Sequence, residues 1–130
     1  MKLYLTRRYT FEAAHRLIGM RDRHRCSRPH GHNYAVELTI TGPLLNGLII
    51  DVGDLDVSVA PVIARLDHND LNEIAKGDGP ISILTQPSVE NIARYLLEAL
   101  DFLSAKSMGG WKLHRVRVYE NASIWADAVP

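Results

Sequence analysis

Apolar and polar residues alternate through the first fifteen residues of the chain. One parity carries apolar side chains and the other carries polar ones, which is typical of a β-strand with one buried face. His15 continues the apolar parity, so we expect its side chain to face inward. The apolar positions are Leu3, Leu5, Tyr9, Phe11 and Ala13, and the polar positions are Thr6, Arg8, Thr10 and Glu12.

A second alternating segment covers residues 34 to 41, after a polar loop at residues 16 to 29. Its apolar parity extends back through Tyr34 to His32 and His30, so both histidines should project from the inward face. Further strands are expected over the ranges 48–52, 112–120 and 124–128, with a tight turn between the last two.

Two segments carry apolar residues at helical spacing. We expect Asp54 to cap a helix that runs to residue 66 and is kinked at Pro61, and Ser88 to cap a second helix. The stretch 67–87 should be a loop. Because strands are followed by two helices and then by strands, the order predicts an α+β fold with helices on one face of an antiparallel sheet. The helical repeats are Leu55, Val59, Val62 and Leu66, then Val89, Ile92, Ala93, Leu96 and Leu100.

The composition fits one domain spanning residues 1–130, since 46% of its 130 residues are hydrophobic. No apolar stretch is long enough to span a bilayer or to form a signal peptide, so we expect a cytoplasmic protein without a membrane partner. Fifteen basic residues balance fifteen acidic ones, which argues against a nucleic-acid partner. Cys26 is the single cysteine and must act as a thiol if it acts at all.

Three histidines share the inward parity of the first two strands. His30 and His32 should project from the same face about 6.5–7 Å apart along the chain, and His15 would lie opposite them if the strands pair antiparallel. Three neutral imidazoles on one ion leave a coordination position open, as in catalytic zinc sites. The alternative is three unrelated histidines with satisfied hydrogen bonds.

Cys26 lies in an arginine-rich loop. The positive charge favours the thiolate, which could take a proton from a metal-bound substrate. Alternatively, Cys26 is a fourth metal ligand or a small buried apolar residue. The arginines could hold an anion, although a solvated loop also accounts for them. They are Arg16, Arg21, Arg23, Arg25 and Arg28.

Three acidic residues and one histidine are further candidates. Asp67 could raise the basicity of His68 for proton transfer, although adjacent side chains usually diverge and a histidine also suits a helix end. Glu120 falls on the inward parity of its strand, where a carboxylate needs a partner. A ligand with a ring N–H and an amino group would satisfy Glu120, unless it simply reaches solvent at the strand end. Glu90 is weaker evidence, because acids are common in a first helical turn.

Five segments, together with Glu120, resemble the superfamily of 6-pyruvoyl-tetrahydropterin synthases and 6-carboxy-tetrahydropterin synthases. The resemblance runs in order over nearly the whole chain, and its most specific part combines His15, Cys26 and the HGH sequence. The segments are residues 11–15 (FEAAH), 26–34 (CSRPHGHNY), 47–51 (GLIID), 66–72 (LDHNDLN) and 87–91 (PSVEN).

This resemblance implies a tunnelling fold, in which a four-stranded antiparallel sheet with two helices on one face joins those of other subunits in a barrel. The implied assembly is a homo-oligomer, usually a hexamer of two trimers. The resemblance also implies a zinc ion held by His15, His30 and His32.

The remaining roles also follow from the resemblance. Cys26 would be the proton-abstracting thiolate, and Asp67 and His68 would form a proton relay that reaches the site from a neighbouring subunit. Glu120 would anchor the pterin ring. Ser88, which stands where the superfamily usually has threonine, and Glu90 would make further substrate contacts.

The spacing between Cys26 and the HGH sequence bears on the substrate. It is three residues, which resembles bacterial 6-carboxy-tetrahydropterin synthases, whereas the pyruvoyl enzymes tend to have a longer gap. The implied reaction converts 7,8-dihydroneopterin triphosphate to 6-carboxy-5,6,7,8-tetrahydropterin, with release of acetaldehyde and triphosphate, on the route to queuosine and other 7-deazapurines. Arg25 and Arg28 could receive the triphosphate. The alternatives are a 6-pyruvoyl-tetrahydropterin synthase and a non-catalytic zinc-stabilised binding module.

Overall fold

Two long antiparallel strands organise the computed structural model, which describes residues 1–130. Strand β1 (Tyr4–His15) pairs with β2 (His30–Thr41) in a register that places His15 opposite His30 and Ala13 opposite His32. The predicted inward parity is confirmed in both strands. Its buried positions are Phe11, Ala13 and His15 in β1 and Tyr34, Val36, Leu38 and Ile40 in β2.

The sheet has five strands. Strand β4 (Lys112–Asn121) pairs antiparallel with β2, and β5 (Ile124–Ala128) pairs antiparallel with β4 across the predicted turn. A two-residue strand, β3 (Asn69–Asp70), lies parallel to β1 at the other edge. The expected count of four strands was therefore wrong, because a segment this short shows no alternating pattern from which a strand can be predicted.

The strand expected over residues 48–52 does not form. Leu45 and Leu48 exchange two backbone hydrogen bonds of 2.8 and 3.0 Å across Asn46 and Gly47, both of which have positive φ. The next hydrogen-bonded pair of a longer hairpin would join residues 43 and 50, and Pro43 has no N–H to donate. Asp51 then begins a helix, so the apolar residues after the turn lead into a helix rather than a strand.

Helices cover the inner face of the sheet. Helix α1 (Val52–Leu66) contains Pro61, and α3 (Val89–Ala105) is capped by Ser88 as predicted. Of the predicted face of α1, Leu55, Val59 and Leu66 are buried and Val62 packs partly buried against the core, while the buried Ile63 was not predicted. The expected loop between α1 and α3 contains β3, helix α2 (Leu71–Ile74) and a 3₁₀ helix at Gly79–Thr85.

The inward sheet residues and the apolar helix faces form one hydrophobic cluster of 24 buried residues. No helix is both long enough and apolar enough to cross a membrane. The opposite sheet face is polar, with ion pairs such as Arg117 with Asp127 at 2.7 Å. The buried layer therefore ends at the rim of β1 and β2, where the three histidines lie.

The N-cap of α1 is Asp51 and not the expected Asp54, which lies in the first turn, and this corrected helix start can be tested. Asp51 Oδ1 accepts hydrogen bonds from the backbone N–H groups of Gly53 and Asp54, at 2.8 and 3.3 Å. Asp51→Ala should therefore lower the free energy of unfolding by about 1 kcal/mol, measured by urea denaturation. Asp54→Ala should cost only about 0.3 kcal/mol, since Asp54 interacts with the helix dipole alone. A larger loss for Asp54→Ala would contradict this cap.

Candidate active site

Three imidazoles converge at the ends of β1 and β2. The Nε2 atoms of His15 and His30 are 3.0 Å apart, and one ligand nitrogen from each of His15, His30 and His32 lies within 4.8 Å of the others. The rings meet edge to face, with centroids 4.6 to 5.1 Å apart. The direct opposition of His15 and His30 in the antiparallel register produces this convergence.

Backbone carbonyls orient two of these rings. His15 Nδ1 donates to the carbonyl of Pro87 at 2.7 Å, and His30 Nδ1 donates to the carbonyl of Arg28 at 2.7 Å. Because a carbonyl can only accept, Nδ1 carries the proton in both rings and Nε2 keeps a free lone pair. Metal-binding histidines are commonly held in this way.

The surroundings favour neutral imidazoles. Burial lowers the pKa of His15 and of His32 below the ordinary histidine value. His15 is 1% exposed, and the buried Nε2 of His32 has no hydrogen-bond partner. A buried nitrogen without a partner costs free energy, which a bound cation would recover. The three residues therefore fit a metal ion, with neutral nitrogen donors suited to zinc.

Glu120 lies against the histidines on the inward side of β4. The register between β4 and β5 shifts at this residue, and such a bulge can re-aim a side chain. Glu120 Oε1 is 3.4 Å from His32 Nε2 and 3.6 Å from His15 Nε2. Its side chain is 19% exposed, so the alternative of a strand end that simply reaches solvent does not describe it.

Cys26 shares a cavity of about 540 Å³ with this group. The cavity is lined by Arg25, Arg28, His30, His32 and Glu120 as well as by Cys26, so it joins the thiol to the histidines. Cys26 is half-buried in a 3₁₀ turn at Arg25–Ser27, where its N–H donates to His24 Nδ1 at 3.1 Å. The arginine side chains are exposed at the cavity rim.

Asp67 and His68 form a separate pair. His68 adopts a positive φ of 58°, and its Nδ1 lies 3.0 Å from Asp67 Oδ1, so the expectation that the two side chains diverge was wrong. The backbone of Glu12 fixes the pair, because its N–H donates to Asp67 Oδ1 and its carbonyl accepts from the N–H of His68. His68 lines a second cavity with Glu12 and Asn33, which does not include Cys26 or Glu120, although His32 borders both cavities.

The two substrate contacts expected near α3 also lie outside the Cys26 cavity. Ser88 caps α3 by accepting a hydrogen bond from the N–H of Asn91 at 3.2 Å. Glu90 is exposed in the first turn of that helix. The segment before α3 contacts the histidines through Pro87, the residue before the cap, whose carbonyl accepts a hydrogen bond from His15.

Comparison with known proteins identifies the family. The model of the family described as 6-pyruvoyl tetrahydropterin synthase matches residues 4–130. The chain belongs to this family.

Relatives within the family carry two kinds of name. An Archaeoglobus fulgidus protein, provisionally named a 6-carboxy-5,6,7,8-tetrahydropterin synthase, is 37% identical over 91% of this chain and 88% of its own length. A Drosophila melanogaster 6-pyruvoyl tetrahydrobiopterin synthase is 32% identical over 90% of this chain and 73% of its own length. The solved 6-pyruvoyl tetrahydropterin synthase of Caenorhabditis elegans matches with a TM-score of 0.82 and 25% identity, over 100% of this chain and 96% of that one.

Sequence patterns did not reveal several groups around the site of this family member. The contact of Pro87 with His15 is made by a backbone carbonyl, so the side-chain pattern of the sequence does not indicate it. Tyr34 was predicted to face inward. Its hydroxyl lies 3.3 Å from His15 Nδ1, and this contact can be seen only in the folded structure. Asn121 and Ile124 line the Cys26 cavity because the turn between β4 and β5 brings them there.

The histidine cluster makes a prediction about metal binding. After loading with Co²⁺ or Zn²⁺, the wild-type chain should retain about one ion, since its three nitrogens fit one centre. His32→Ala should weaken binding by more than about 100-fold, because even the outer partners of metal ligands are worth about 10- to 100-fold. Metal analysis after dialysis against graded chelator measures both values.

His114→Ala is the matched control, since His114 is an exposed histidine in β4 beside Tyr4. It should leave metal binding unchanged. Equal losses in both variants would show that the ion does not depend on the histidine cluster.

Proposed function

We propose that this protein is a zinc-dependent 6-carboxy-tetrahydropterin synthase. It would convert 7,8-dihydroneopterin triphosphate to 6-carboxy-5,6,7,8-tetrahydropterin and release acetaldehyde and triphosphate, in queuosine and other 7-deazapurine biosynthesis. The observation that carries the proposal is the placement of Cys26, His30, His32 and Glu120 around one cavity, above the buried His15, in a member of this family.

His15, His30 and His32 would hold the zinc ion through three nitrogens. A zinc ion bound there polarises the side-chain oxygens of the substrate and acidifies the adjacent C–H bond. The protein fixes the donor atoms in advance, because the carbonyls of Pro87 and Arg28 already set the tautomers of two rings.

Cys26 would remove the proton from the acidified carbon. The thiolate is the form of a cysteine that accepts a proton. Arg25 and Arg28 line the cavity and would bind the triphosphate, since guanidinium groups form paired hydrogen bonds with phosphate oxygens.

Glu120 would hold the pterin ring by accepting hydrogen bonds from a ring N–H and the exocyclic amino group. Its two carboxylate oxygens match two parallel donors. Ser88 and Glu90 would add contacts from the start of α3, where Ser88 also caps the helix.

Asp67 and His68 would relay protons to the site of a neighbouring chain. Within one chain they line a cavity that does not contain Cys26. The exposed His68 is held in one orientation by Asp67, as a relay requires. We therefore propose a homo-oligomer, a hexamer or another trimer-based assembly, in which the sheets join into a barrel.

The spacing of the active-site loop favours the carboxy product over the pyruvoyl product. Three residues separate Cys26 from the HGH sequence, which begins β2. Cys26 lies inside a 3₁₀ turn just before that strand. Relatives with both names are about equally similar to this chain, so overall identity does not separate the two reactions.

The products provide the test of this function. The zinc-loaded wild-type protein, incubated with 7,8-dihydroneopterin triphosphate, should release acetaldehyde and triphosphate together with 6-carboxy-5,6,7,8-tetrahydropterin, measured by mass spectrometry. A pyruvoyl product without acetaldehyde would overturn the carboxy assignment in favour of 6-pyruvoyl-tetrahydropterin synthase.

Cys26→Ala separates catalysis from a structural zinc module. Turnover should fall by at least about 100-fold, because a positioned acid–base group contributes about 10²- to 10⁴-fold. Zinc content should stay at the wild-type level. Loss of zinc together with turnover would instead support Cys26 as a metal ligand in a non-catalytic module.

Mixed oligomers test the origin of His68. Cys26→Ala and His68→Ala chains, inactive alone, should regain about one quarter of wild-type turnover when unfolded together and refolded as a 1:1 mixture, since half of the sites keep Cys26 and half of those meet an intact His68. Each variant refolded alone is the control. If one chain supplied both residues to each site, the mixture would stay inactive.

A further inference from the structure

The loop that carries Cys26 is joined to itself by a single long-range backbone hydrogen bond. This loop, residues 16–29, connects β1 to β2, and most of its residues are exposed. The N–H of Leu17 donates to the carbonyl of Cys26 at 2.8 Å, whereas the other backbone hydrogen bonds within the loop are local turns. The position of Cys26 therefore depends on the position of Leu17.

Two side-chain amides bind the residues on either side of Leu17. Asn72 Oδ1 accepts from the N–H of Arg16 at 2.8 Å, and Asn72 Nδ2 donates to the carbonyl of Arg16 at 3.0 Å. Gln86 Oε1 accepts from the N–H of Ile18 at 2.8 Å, and Gln86 Nε2 donates to the carbonyl of Ile18 at 2.9 Å. Each amide satisfies both backbone groups of one residue, as a paired residue in a neighbouring strand would.

This arrangement explains why Leu17 faces Cys26. Alternate residues of an extended chain direct their backbone groups to the same edge. Arg16 and Ile18 face the two amides, so the N–H of Leu17 faces the opposite edge, where Cys26 lies. The amides thus continue the edge of β1 that pairs with β3 at Ala13 and Ala14.

Both amides are themselves anchored to short-range structure. Asn72 lies in the first turn of α2, where its N–H donates to Asp70 Oδ1 at 2.9 Å. Asn91 in α3 donates through Nδ2 to the carbonyl of Gln86 at 2.9 Å. The exposed loop is therefore held by groups that belong to fixed elements, which is how a site keeps a reactive side chain in place.

We infer that Asn72 and Gln86 are positioning residues that fix the Cys26 loop through the backbone of residues 16–18. Neither amide hydrogen-bonds to Cys26, and both act on it through Leu17. The inference rests on the proposed function for the role of Cys26 in proton removal. The hold of the two amides on the loop can be measured without substrate.

Hydrogen exchange of the Leu17 N–H, followed by NMR, tests this hold. Asn72→Ala should accelerate the exchange by more than about tenfold, because two hydrogen bonds that oppose local opening are lost. Gln86→Ala should accelerate exchange of the same N–H. Circular dichroism checks that each variant is folded.

Two controls separate the loop from the stability of the whole chain. Glu73→Ala alters the next residue of α2, whose side chain pairs only with Lys76 in solvent. Asp51→Ala removes the cap of α1 and so destabilises the fold without touching the loop. Neither should change exchange at Leu17. An equal acceleration in Asn72→Ala and Asp51→Ala would overturn the inference, as would an unchanged rate in Asn72→Ala.

Turnover tests the consequence for Cys26. In the zinc-loaded protein, Asn72→Ala should lower kcat for 7,8-dihydroneopterin triphosphate at least about tenfold, since a displacement of about 1 Å can cost about 100-fold. Glu73→Ala should keep the wild-type value. Faster exchange with full turnover would overturn the positioning role. Absence of turnover in the wild-type protein would instead overturn the proposed function, and the exchange rates would still decide whether the two amides fix the loop.

Discussion

The antiparallel register of β1 and β2 is the constraint on which the site depends. It places His15 opposite His30 and leaves His32 on the same face. A shift by one residue would turn the histidines of one strand to the polar face and would expose the buried set of Phe11, Tyr34 and their neighbours. The hydrophobic core therefore specifies the geometry of the candidate metal site, because the residues that bury the sheet and the three histidines share one parity.

Burial of these polar groups raises the free energy of the site when no ligand is bound. His15 is almost fully buried, His32 Nε2 has no partner, and Glu120 faces lone pairs. Functional sites commonly retain such unfavourable arrangements, which the surrounding structure supports. Here the support comes from rigid backbone groups, the carbonyls of Pro87 and Arg28, rather than from flexible side chains. A site organised in this way can bind an ion without first reordering its ligands.

The sequence predicts the elements whose residues follow a periodic pattern and misses the features that have no such pattern. Alternation placed the histidines and the long strands correctly, and helical spacing with Ser88 placed α3. The two residues of β3 are too few to show a period, and the strand expected after Gly47 was replaced by a turn and the cap at Asp51. The contact of Glu120 with the histidines depends on a bulge between β4 and β5, which no local pattern reveals.

Two cavities on one chain impose a further constraint on the active site. Cys26 lines one cavity with His30 and Glu120, and His68 lines the other with Glu12, while His32 borders both. Direct proton transfer requires hydrogen-bond contact, and within one chain the His68 ring contacts the carboxylates of Asp67 and Glu12. In the proposed relay, the His68 of one chain would meet the Cys26 of another, and assembly would then be a condition of catalysis.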